Sequence, residues 1–292
     1  MGPILPGAEG ALLDVLVLLL LAAAAGAFGA LVGLGGGLFV VPILVVVFDV
    51  DIHLAVAASL VAVIGTSLGS ASTYVEEGLT DIRVGMFLET ATAVGGLLGA
   101  VVAVTILAAQ SQVLILAFVP VVLFAGFLMP RSRDGDIDPD PPPDRWADRL
   151  RLHGSYYNAR LGRTIPYRVT RTRDGLLLTG ISGFGSGLLG IGGGLFNVPA
   201  MHGFMNLPIR VAATTSSFMI GVTAAAGAVV YLFAGDLALP LIGPTVLGVT
   251  LGSYLGTRAQ PRFRAITLRR MFLAILPVAA GLMLLRGIGV LG

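Results

Sequence analysis

The chain has 292 residues, of which 56% are hydrophobic and only 12% are charged, and its formal net charge is +2. A soluble domain carries about 25% charged residues, so this composition argues against a secreted enzyme, a nucleic-acid-binding protein and a disordered scaffold. The lack of cysteine excludes thiol chemistry, and three scattered histidines give no basis for a metal site. We therefore expect a polytopic membrane protein without metal, cofactor or nucleic-acid partner.

Ten apolar runs follow one another along the chain. They lie at about 11–33, 37–48, 55–75, 84–108 and 113–129 and, after a polar stretch, at about 176–191, 194–206, 212–234, 239–257 and 271–286. None alternates like a barrel strand, so each is predicted to be helical. A full span takes about 20 helical residues, and the two shortest runs are predicted to be broken helices after glycine-rich turns. The predicted fold class is an all-α polytopic membrane protein with about 8–10 transmembrane segments.

The polar stretch divides the chain into three parts. Residues 1–129 and 175–292 are predicted to be two membrane repeats, and residues 130–174 a linker that holds ten of the eighteen arginines and a Pro/Asp-rich run. Cytoplasmic loops carry the excess of Lys and Arg. The linker is therefore predicted to be a solvated cytoplasmic segment, with a regulatory or docking role as the alternative.

The two halves repeat each other at a fixed offset of 157 residues. The block Gly33–Pro42 matches Gly190–Pro199, with a glycine triplet, a Leu-Phe pair and a closing proline in both copies. Without gaps, the same offset pairs Gly26 with Gly183, Ala55 with Ala212, Ser59 with Ser216, Thr66 with Thr223, Tyr74 with Tyr231, Gly78 with Gly235, Gly95 with Gly252, and Gly99 with Gly256. Such internal duplication is the architecture of many secondary transporters.

Loop charges indicate that the two repeats have inverted topology. The loop 258–270 carries five arginines and no acid, whereas its counterpart at 109–112 is uncharged. The first is predicted to be cytoplasmic and the second external. Equivalent loops on opposite faces require an odd number of crossings in each half. Treating each glycine cluster as a reversal point gives five membrane segments per half, with both termini outside.

Each glycine cluster is predicted to end one helix and to start a short one at membrane depth. The first N–H groups of a helix have no intrahelical acceptor, and the helix dipole is positive there. Such a start can bind an anion without a basic side chain, and two inverted copies would face each other near the midplane. The alternative is that the glycines only allow close helix packing. The candidate substrate-binding glycines are Gly35, Gly36, Gly37, Gly192, Gly193 and Gly194.

Hydroxyl and amide side chains follow the glycine clusters and are candidate hydrogen-bond donors to an anion. They are Ser59, Thr66, Asn197, Thr214, Thr215 and Ser216. Ser59 and Thr66 share one helical face because they are seven residues apart. Asn197 breaks the repeat, since its counterpart is Val40. The alternative for the hydroxyls is hydrogen bonding between helices, worth about 0.6 kcal/mol on average.

Glu89 and His202 are ionisable residues that fall inside predicted membrane segments. Such residues are functional candidates because charge is costly at membrane depth, and a histidine titrates near neutral pH. We expect His202 to be a candidate for binding or releasing a proton during transport, and both side chains to be candidates for coupling if uptake is driven by protons or sodium. The alternatives are that Glu89 reaches the interface near Arg83 and that His202 is structural. One glutamate and one histidine do not supply the residue cluster of an enzyme, so no enzymatic activity is expected.

The duplicated Gly-x-Gly-Gly-Gly-x-x-x-x-Pro unit, followed each time by a Ser/Thr-rich helix, resembles the TauE/SafE sulfite exporter family over about residues 26–285. The resemblance implies a multi-pass permease of the bacterial inner membrane for sulfur-containing anions such as sulfite, thiosulfate, sulfoacetate or other organosulfonates. It places Gly35–Gly37, Pro42, Gly192–Gly194 and Pro199 in the family core. The thiosulfate-uptake branch of the family is associated with cysteines, so cysteine-dependent uptake is not expected here.

We therefore predict a secondary transporter that exports small sulfur-containing anions by alternating access between two inverted repeats. Export of a monoanion releases about 2.3 kcal/mol per 100 mV of inside-negative potential, so a coupling ion is not required. The alternatives are uptake coupled to protons or sodium, and a non-transporting assembly or sensor subunit. The expected partners are a small anionic substrate and the lipid bilayer, with a second copy of the chain in a homodimer as a further candidate.

Overall fold

The structure is a computed structural model that describes residues 8–33, 35–76, 78–128, 137–158, 162–259 and 265–290. The first half comprises α1 (Ala8–Val32), α2 (Gly37–Pro42), α3 (Ile52–Glu76), α4 (Ile82–Thr105) and α5 (Ser111–Leu128). The middle segment holds α6 (Arg145–Arg149), β1 (Gly154–Asn158) and β2 (Arg163–Tyr167). The second half comprises α7 (Thr172–Leu189), α8 (Gly194–Pro199), α9 (Ile209–Ala234), α10 (Leu239–Ala259) and α11 (Ala265–Gly287). The short helices α2 and α8 continue as π-helical turns over Ile43–Val47 and Ala200–Phe204.

The all-α membrane class predicted from the sequence is confirmed. Among the residues that the structure describes, five helical stretches are long and apolar enough to cross a membrane: Leu12–Leu31, Ile52–Ser70, Ile82–Thr105, Ile209–Ala234 and Leu239–Ala259. Shorter apolar helices lie at Gly37–Val47, Ser111–Phe124 and Leu276–Gly287. Large apolar side chains such as Leu12, Phe127 and Phe233 are exposed on the outside, as a lipid environment requires. The predicted total of 8–10 segments depends on counting the shorter helices and the less apolar α7.

Hydrogen bonds inside the two halves repeat at the 157-residue offset. The Tyr74 hydroxyl donates to the Ala30 carbonyl, and the equivalent Tyr231 hydroxyl donates to the Gly187 carbonyl, each over 3.2 Å. Both tyrosine side chains are buried. The sequence duplication is therefore also a duplication of three-dimensional structure.

The most extensive contacts between the two halves are two equivalent helix crossings, of α1 with α10 and of α4 with α7. A Cβ atom at Gly252 of α10 would overlap the Ala23 carbonyl of α1. A Cβ atom at the equivalent Gly95 of α4 would overlap the Gly180 carbonyl of α7. Each crossing therefore depends on a glycine that lets two helix backbones approach closely, as in other membrane proteins.

The order of the contacts gives the direction in which the helices run. Along α1, Leu19, Ala23 and Ala27 contact Gly248, Gly252 and Gly256 of α10 in the same order. These two helices are therefore parallel. The equivalent helices α3 and α9 are antiparallel. Ser67 contacts Ser217, whereas Leu60, which comes earlier in α3, contacts Gly227, which comes later in α9. These directions support inverted repeats. The orientation of the repeats relative to a membrane stays a prediction.

Part of the middle segment is folded and docked on the helices. Strands β1 and β2 pair antiparallel, with Gly154 opposite Tyr167. The Tyr167 hydroxyl donates to Asp81 Oδ2 over 2.7 Å. Burial and the neighbouring carboxylate raise the pKa of Tyr167 above its usual value, so the tyrosine remains a donor. Apolar residues of the segment share one buried cluster with α4, α9 and the second π-helical turn: Ala147, Leu152, Tyr156, Tyr167, Val169, Val84, Leu88, Met201 and Val211.

Asp144 joins this docked segment to the start of α7. One carboxylate oxygen accepts hydrogen bonds from the N–H and hydroxyl groups of Thr172 over 2.7 and 2.8 Å, and the other accepts the N–H groups of Trp146 and Ala147. Burial raises the pKa of the Asp144 carboxyl, but these hydrogen bonds outweigh burial and lower the pKa below its ordinary value of 3.8. The ionised carboxylate therefore stabilises the docking.

Because the pKa of Asp144 is lower in the docked state, its stabilising effect is present above the ordinary value of 3.8 and is lost as the pH falls through the docked-state pKa. Trp146 is the single tryptophan, and it packs against Phe87 and beneath Arg173. We expect its fluorescence emission to shift to longer wavelength on acidification below that pH.

The variant Asp144→Asn separates this effect from general acid unfolding. It should lack the acid-dependent shift, whereas Asp140→Asn, at an exposed position of the same segment, should keep it. An identical acid shift in Asp144→Asn would contradict the role assigned to this carboxylate.

Candidate functional site beside the second glycine turn

Both glycine clusters form turns that precede a short helix. Gly36 and Gly193 have left-handed φ angles of 73° and 69° immediately before α2 and α8. A side chain would be strained at these angles. Each short helix ends in proline, at Pro42 and Pro199, which lacks an N–H group, and the chain continues as a π-helical turn. The sequence pattern therefore predicted the local structure of both turns correctly.

The two glycine turns are linked across the halves. Ser59 Oγ donates to the Gly190 carbonyl over 2.8 Å, and the equivalent Ser216 Oγ donates to the Gly33 carbonyl over 3.0 Å. A Cβ atom at Gly37 would overlap the Gly190 carbonyl. The hydroxyls of Ser59 and Ser216 thus have backbone partners, which agrees with the alternative that these side chains form hydrogen bonds between helices. An anion could receive a hydrogen bond from them only by displacing those carbonyls, and substrate binding by these two residues stays a prediction.

Ser216→Ala is expected to destabilise the protein, because it leaves the buried Gly33 carbonyl without its hydroxyl donor. An unsatisfied buried acceptor costs about 1–3 kcal/mol, which should lower the apparent melting temperature in detergent. Thr105→Ala is the control, since the Thr105 hydroxyl bonds within its own helix at an exposed position. Equal melting temperatures for native protein and Ser216→Ala would contradict a structural role for this hydroxyl.

Thr214 and Thr215 lie near the start of α9, in contact with the loop between α3 and α4. Thr214 Oγ1 donates to the Leu79 carbonyl over 2.8 Å, and Thr215 Oγ1 accepts the N–H of Asp81 over 3.0 Å. Asp81 is also the partner of the docked middle segment. These two threonines therefore connect α9 to that loop, and their predicted role in substrate binding remains untested.

A buried polar cluster adjoins the second glycine turn. Ser186 Cβ, Thr223 Cγ2 and Asn197 Nδ2 lie 3.7, 3.7 and 3.8 Å from the position that a Cβ atom on Gly193 would occupy. All three side chains are at most 1% exposed. Within the described residues, Ser186 Oγ and both polar atoms of the Asn197 amide lack a hydrogen-bond partner. Leaving such atoms unsatisfied costs about 1–3 kcal/mol each, so the cluster is the best candidate for a ligand site.

Glu89 joins this cluster through Thr223. Thr223 Oγ1 donates to Glu89 Oε1 over 2.9 Å, while Glu89 Oε2 is buried without a partner among the described residues. The ion pairs found among the described residues do not involve Glu89. Arg83 is directed elsewhere, since its guanidinium donates to the Arg151 carbonyl. The carboxylate therefore faces the polar cluster without a cationic side chain beside it.

The cluster has no equivalent in the first half. There Thr66, the counterpart of Thr223, lies at the first turn with its Oγ1 3.5 Å from the Cβ position of Gly36. The other three positions are apolar or lack a side chain: Val40 replaces Asn197, Val246 replaces Glu89, and Gly29 replaces Ser186. Sequence reasoning noted Asn197 and Glu89 but did not select Ser186 or Thr223. These departures from the repeat were the signal that could have brought Ser186 to notice.

His202 lies in the π-helical turn after α8 and is buried. Its Nδ1 is 2.7 Å from the Leu207 carbonyl, a contact that suits a structural histidine. Its predicted role in proton coupling remains untested. In the part of the chain that the structure describes, no group of three or more His, Cys, Asp or Glu side chains converges on a point that could hold a metal ion.

The chemistry of the cluster suits a small polar ligand. Ser186 and the Asn197 amide offer hydrogen-bond donors, and Glu89 offers an acceptor, at a break between two helices. Broken helices at membrane depth are the usual place for substrate and ion sites in transporters.

The family model for the sulfite exporter TauE/SafE matches residues 18–284, nearly the whole chain. The chain belongs to this family.

Two curated relatives cover almost the same length. The chain is 26% identical over 274 residues to the probable membrane transporter protein YunE of Bacillus subtilis (strain 168), covering 90% of this chain and 96% of the relative. It is 26% identical over 278 residues to the probable membrane transporter protein YdhB of the same organism, covering 94% and 100%. No solved structure matches it significantly. The resemblance to the TauE/SafE family is thus confirmed, and the chain is a multi-pass membrane transporter.

Proposed function

We propose that the protein is a secondary transporter of small sulfur-containing anions such as sulfite, sulfoacetate or other organosulfonates. The family description supports the substrate class. The observation that carries the proposal is the buried cluster beside Gly193, where Asn197 Nδ2 and Ser186 Oγ are donors without a partner. Three oxygens of a sulfonate can accept hydrogen bonds from such donors, so one anion can satisfy both side chains.

Alternating access between two inverted repeats is the proposed mechanism. The glycine turns link the halves through Ser59 and Ser216, so motion of one repeat against the other would open and close the region between them. The helix starts at Gly37 and Gly194 add partial positive charge there. An anion can therefore be held at these helix starts without a basic side chain.

Export is the direction that needs no other energy source. A monoanion that leaves an inside-negative compartment gains about 2.3 kcal/mol per 100 mV. The second candidate is uptake coupled to a cation. It is favoured by one observation, the buried Glu89 Oε2 beside the cluster, which has no partner among the described residues.

Purified protein in liposomes tests the proposal. Vesicles loaded with labelled sulfoacetate should release it faster than protein-free vesicles, and an imposed potential that is negative inside should accelerate release if no cation accompanies the anion. Absence of protein-dependent flux for sulfite, sulfoacetate and other organosulfonates alike would overturn the proposed substrate class.

A further inference from the structure

We infer that Glu89, Thr223, Asn197 and Ser186 form a Na⁺ site beside the second glycine turn. The binding of Na⁺ stands on the geometry of the cluster alone, whereas its coupling to an anion rests on the proposed function. The inference goes beyond the two directions considered above, because it assigns the coupling ion and the side chains that hold it.

The oxygen atoms of the cluster match the ligands that Na⁺ uses in transporters. Glu89 Oε2, Asn197 Oδ1 and Ser186 Oγ are buried and lack a partner in the described residues, and Thr223 Oγ1 is already directed at Glu89. Backbone carbonyls at a broken helix complete such sites in other transporters. One cation would therefore satisfy three atoms that have no partner among the described residues.

The charge of the cluster favours a monovalent cation. A single carboxylate balances one positive charge, and a calcium site would normally use several carboxylates. Besides Glu89, the charged or titratable side chains on the surrounding helices and turn are Arg83, Arg173, Asp174, His202, Arg210 and Tyr231. Thr223 donates its hydroxyl hydrogen bond to Glu89, and the ion pairs found among the described residues do not include Glu89. Burial of an unpaired carboxylate is costly, and a bound cation removes that cost.

The first half provides an internal comparison. At the equivalent turn, Val40 and Val246 stand where the site has Asn197 and Glu89. The backbone turn is the same and Thr66 corresponds to Thr223, but the amide and carboxylate ligands are replaced by valines. The cluster is therefore not required for the turn to form, and its polar atoms serve a purpose that the first half does not share.

A Na⁺ ion at Glu89 would govern the binding of an anion to Asn197 and Ser186. Without the cation, the carboxylate repels an anion in a region of low dielectric constant, and the affinity should fall roughly tenfold or more. When Na⁺ is bound, one Na⁺ and one monoanion cross the membrane together, and no net charge is moved. The inward Na⁺ gradient then drives uptake, and flux becomes insensitive to the membrane potential.

Thermal unfolding of the purified protein in detergent tests the site without any substrate. Replacing choline chloride with NaCl at constant ionic strength should raise the apparent melting temperature, since Na⁺ binds only the folded state. KCl should give a smaller rise. Glu89→Gln, which keeps an acceptor for Thr223, should abolish the Na⁺ response, and Ser186→Ala should shift it to at least roughly tenfold higher NaCl. Val246→Ala, at the position of α10 that is the repeat counterpart of Glu89, should leave the response unchanged.

The outcomes separate the site from the proposed function. No Na⁺-specific rise in the native protein, or an equal rise in Glu89→Gln and Ser186→Ala, would overturn the Na⁺ site. A stabilisation that follows pH instead of Na⁺ would assign the cluster to a proton and overturn it as well. Stabilisation by sulfoacetate is measured separately in saturating NaCl. If that stabilisation is missing while the Na⁺ response is intact, the proposed substrate class fails and the Na⁺ site stands.

Discussion

Asn197→Val is expected to abolish most transport while leaving the fold intact. The amide of Asn197 is wholly buried, and its nitrogen and oxygen have no protein partner among the described residues. A hydrogen bond to a charged ligand contributes about 1.5–3 kcal/mol, so flux below saturation should fall roughly 10-fold to more than 100-fold. Valine occupies the equivalent position in α2, at Val40, and is therefore compatible with the backbone of this turn.

The reciprocal position supplies the control for Asn197→Val. Val40→Thr changes shape little and should retain transport, because the first turn lacks the other polar members of the cluster. Both variants should unfold at a temperature close to that of the native protein. Native flux of sulfoacetate by Asn197→Val would show that the cluster beside Gly193 does not bind the transported anion.

Gly252→Ala is expected to have the largest effect on stability. A methyl group at this position would overlap the Ala23 carbonyl, so α1 and α10 would have to move apart along a crossing that joins the two halves. Overpacking of a tight contact typically costs about 1–3 kcal/mol and occasionally more. The apparent melting temperature in detergent should fall substantially, as should the yield of monodisperse protein.

The same helix offers the control for Gly252→Ala. Gly243 is also within α10, but a Cβ atom there would meet nothing within 4 Å. Alanine is a better helix former than glycine by about 0.5–1 kcal/mol, so Gly243→Ala should be neutral or stabilising. If Gly252→Ala proved as stable as Gly243→Ala, the close crossing of α1 and α10 would be refuted.

Much of the fold could be predicted because the relevant signals are local in the sequence. The apolar runs gave the helices, and the glycine triplets before Pro42 and Pro199 gave the two broken segments. The offset between the halves also predicted equivalent contacts, such as those of Tyr74 and Tyr231. Register within a helix follows from sequence spacing alone, which is why these features were accessible.

The binding cluster could be predicted only in part, because its members come from four different helices. Asn197 and Glu89 were noticeable as polar residues in apolar segments, but nothing in the spacing indicated that Thr223 would link Glu89 to the second turn. Substrate binding by Ser59 and Ser216 stays a prediction, whereas their hydrogen bonds to carbonyls of the opposite half are visible only in the structure. Partner choice of this kind depends on tertiary packing.

The fold of the middle segment was also out of reach of the sequence. Its arginines, aspartates and prolines are typical of a solvated linker, and the short strands β1 and β2 lack a long alternating pattern. Their stability comes from contacts outside the segment, such as Tyr167 with Asp81. Sequence composition does not report such docking.

Labelling of a single introduced cysteine tests most directly whether the cluster beside Gly193 is the substrate site. The chain contains no cysteine, so Ser186→Cys would carry the only thiol. We predict that a small thiol reagent labels Ser186→Cys in membranes and that sulfoacetate, in the presence of NaCl, slows this labelling in a concentration-dependent manner. Ser111→Cys, outside the cluster, should be labelled at the same rate with and without sulfoacetate. Labelling of Ser186→Cys that sulfoacetate, sulfite and other organosulfonates leave unchanged, in protein that still transports them, would contradict this location for the site.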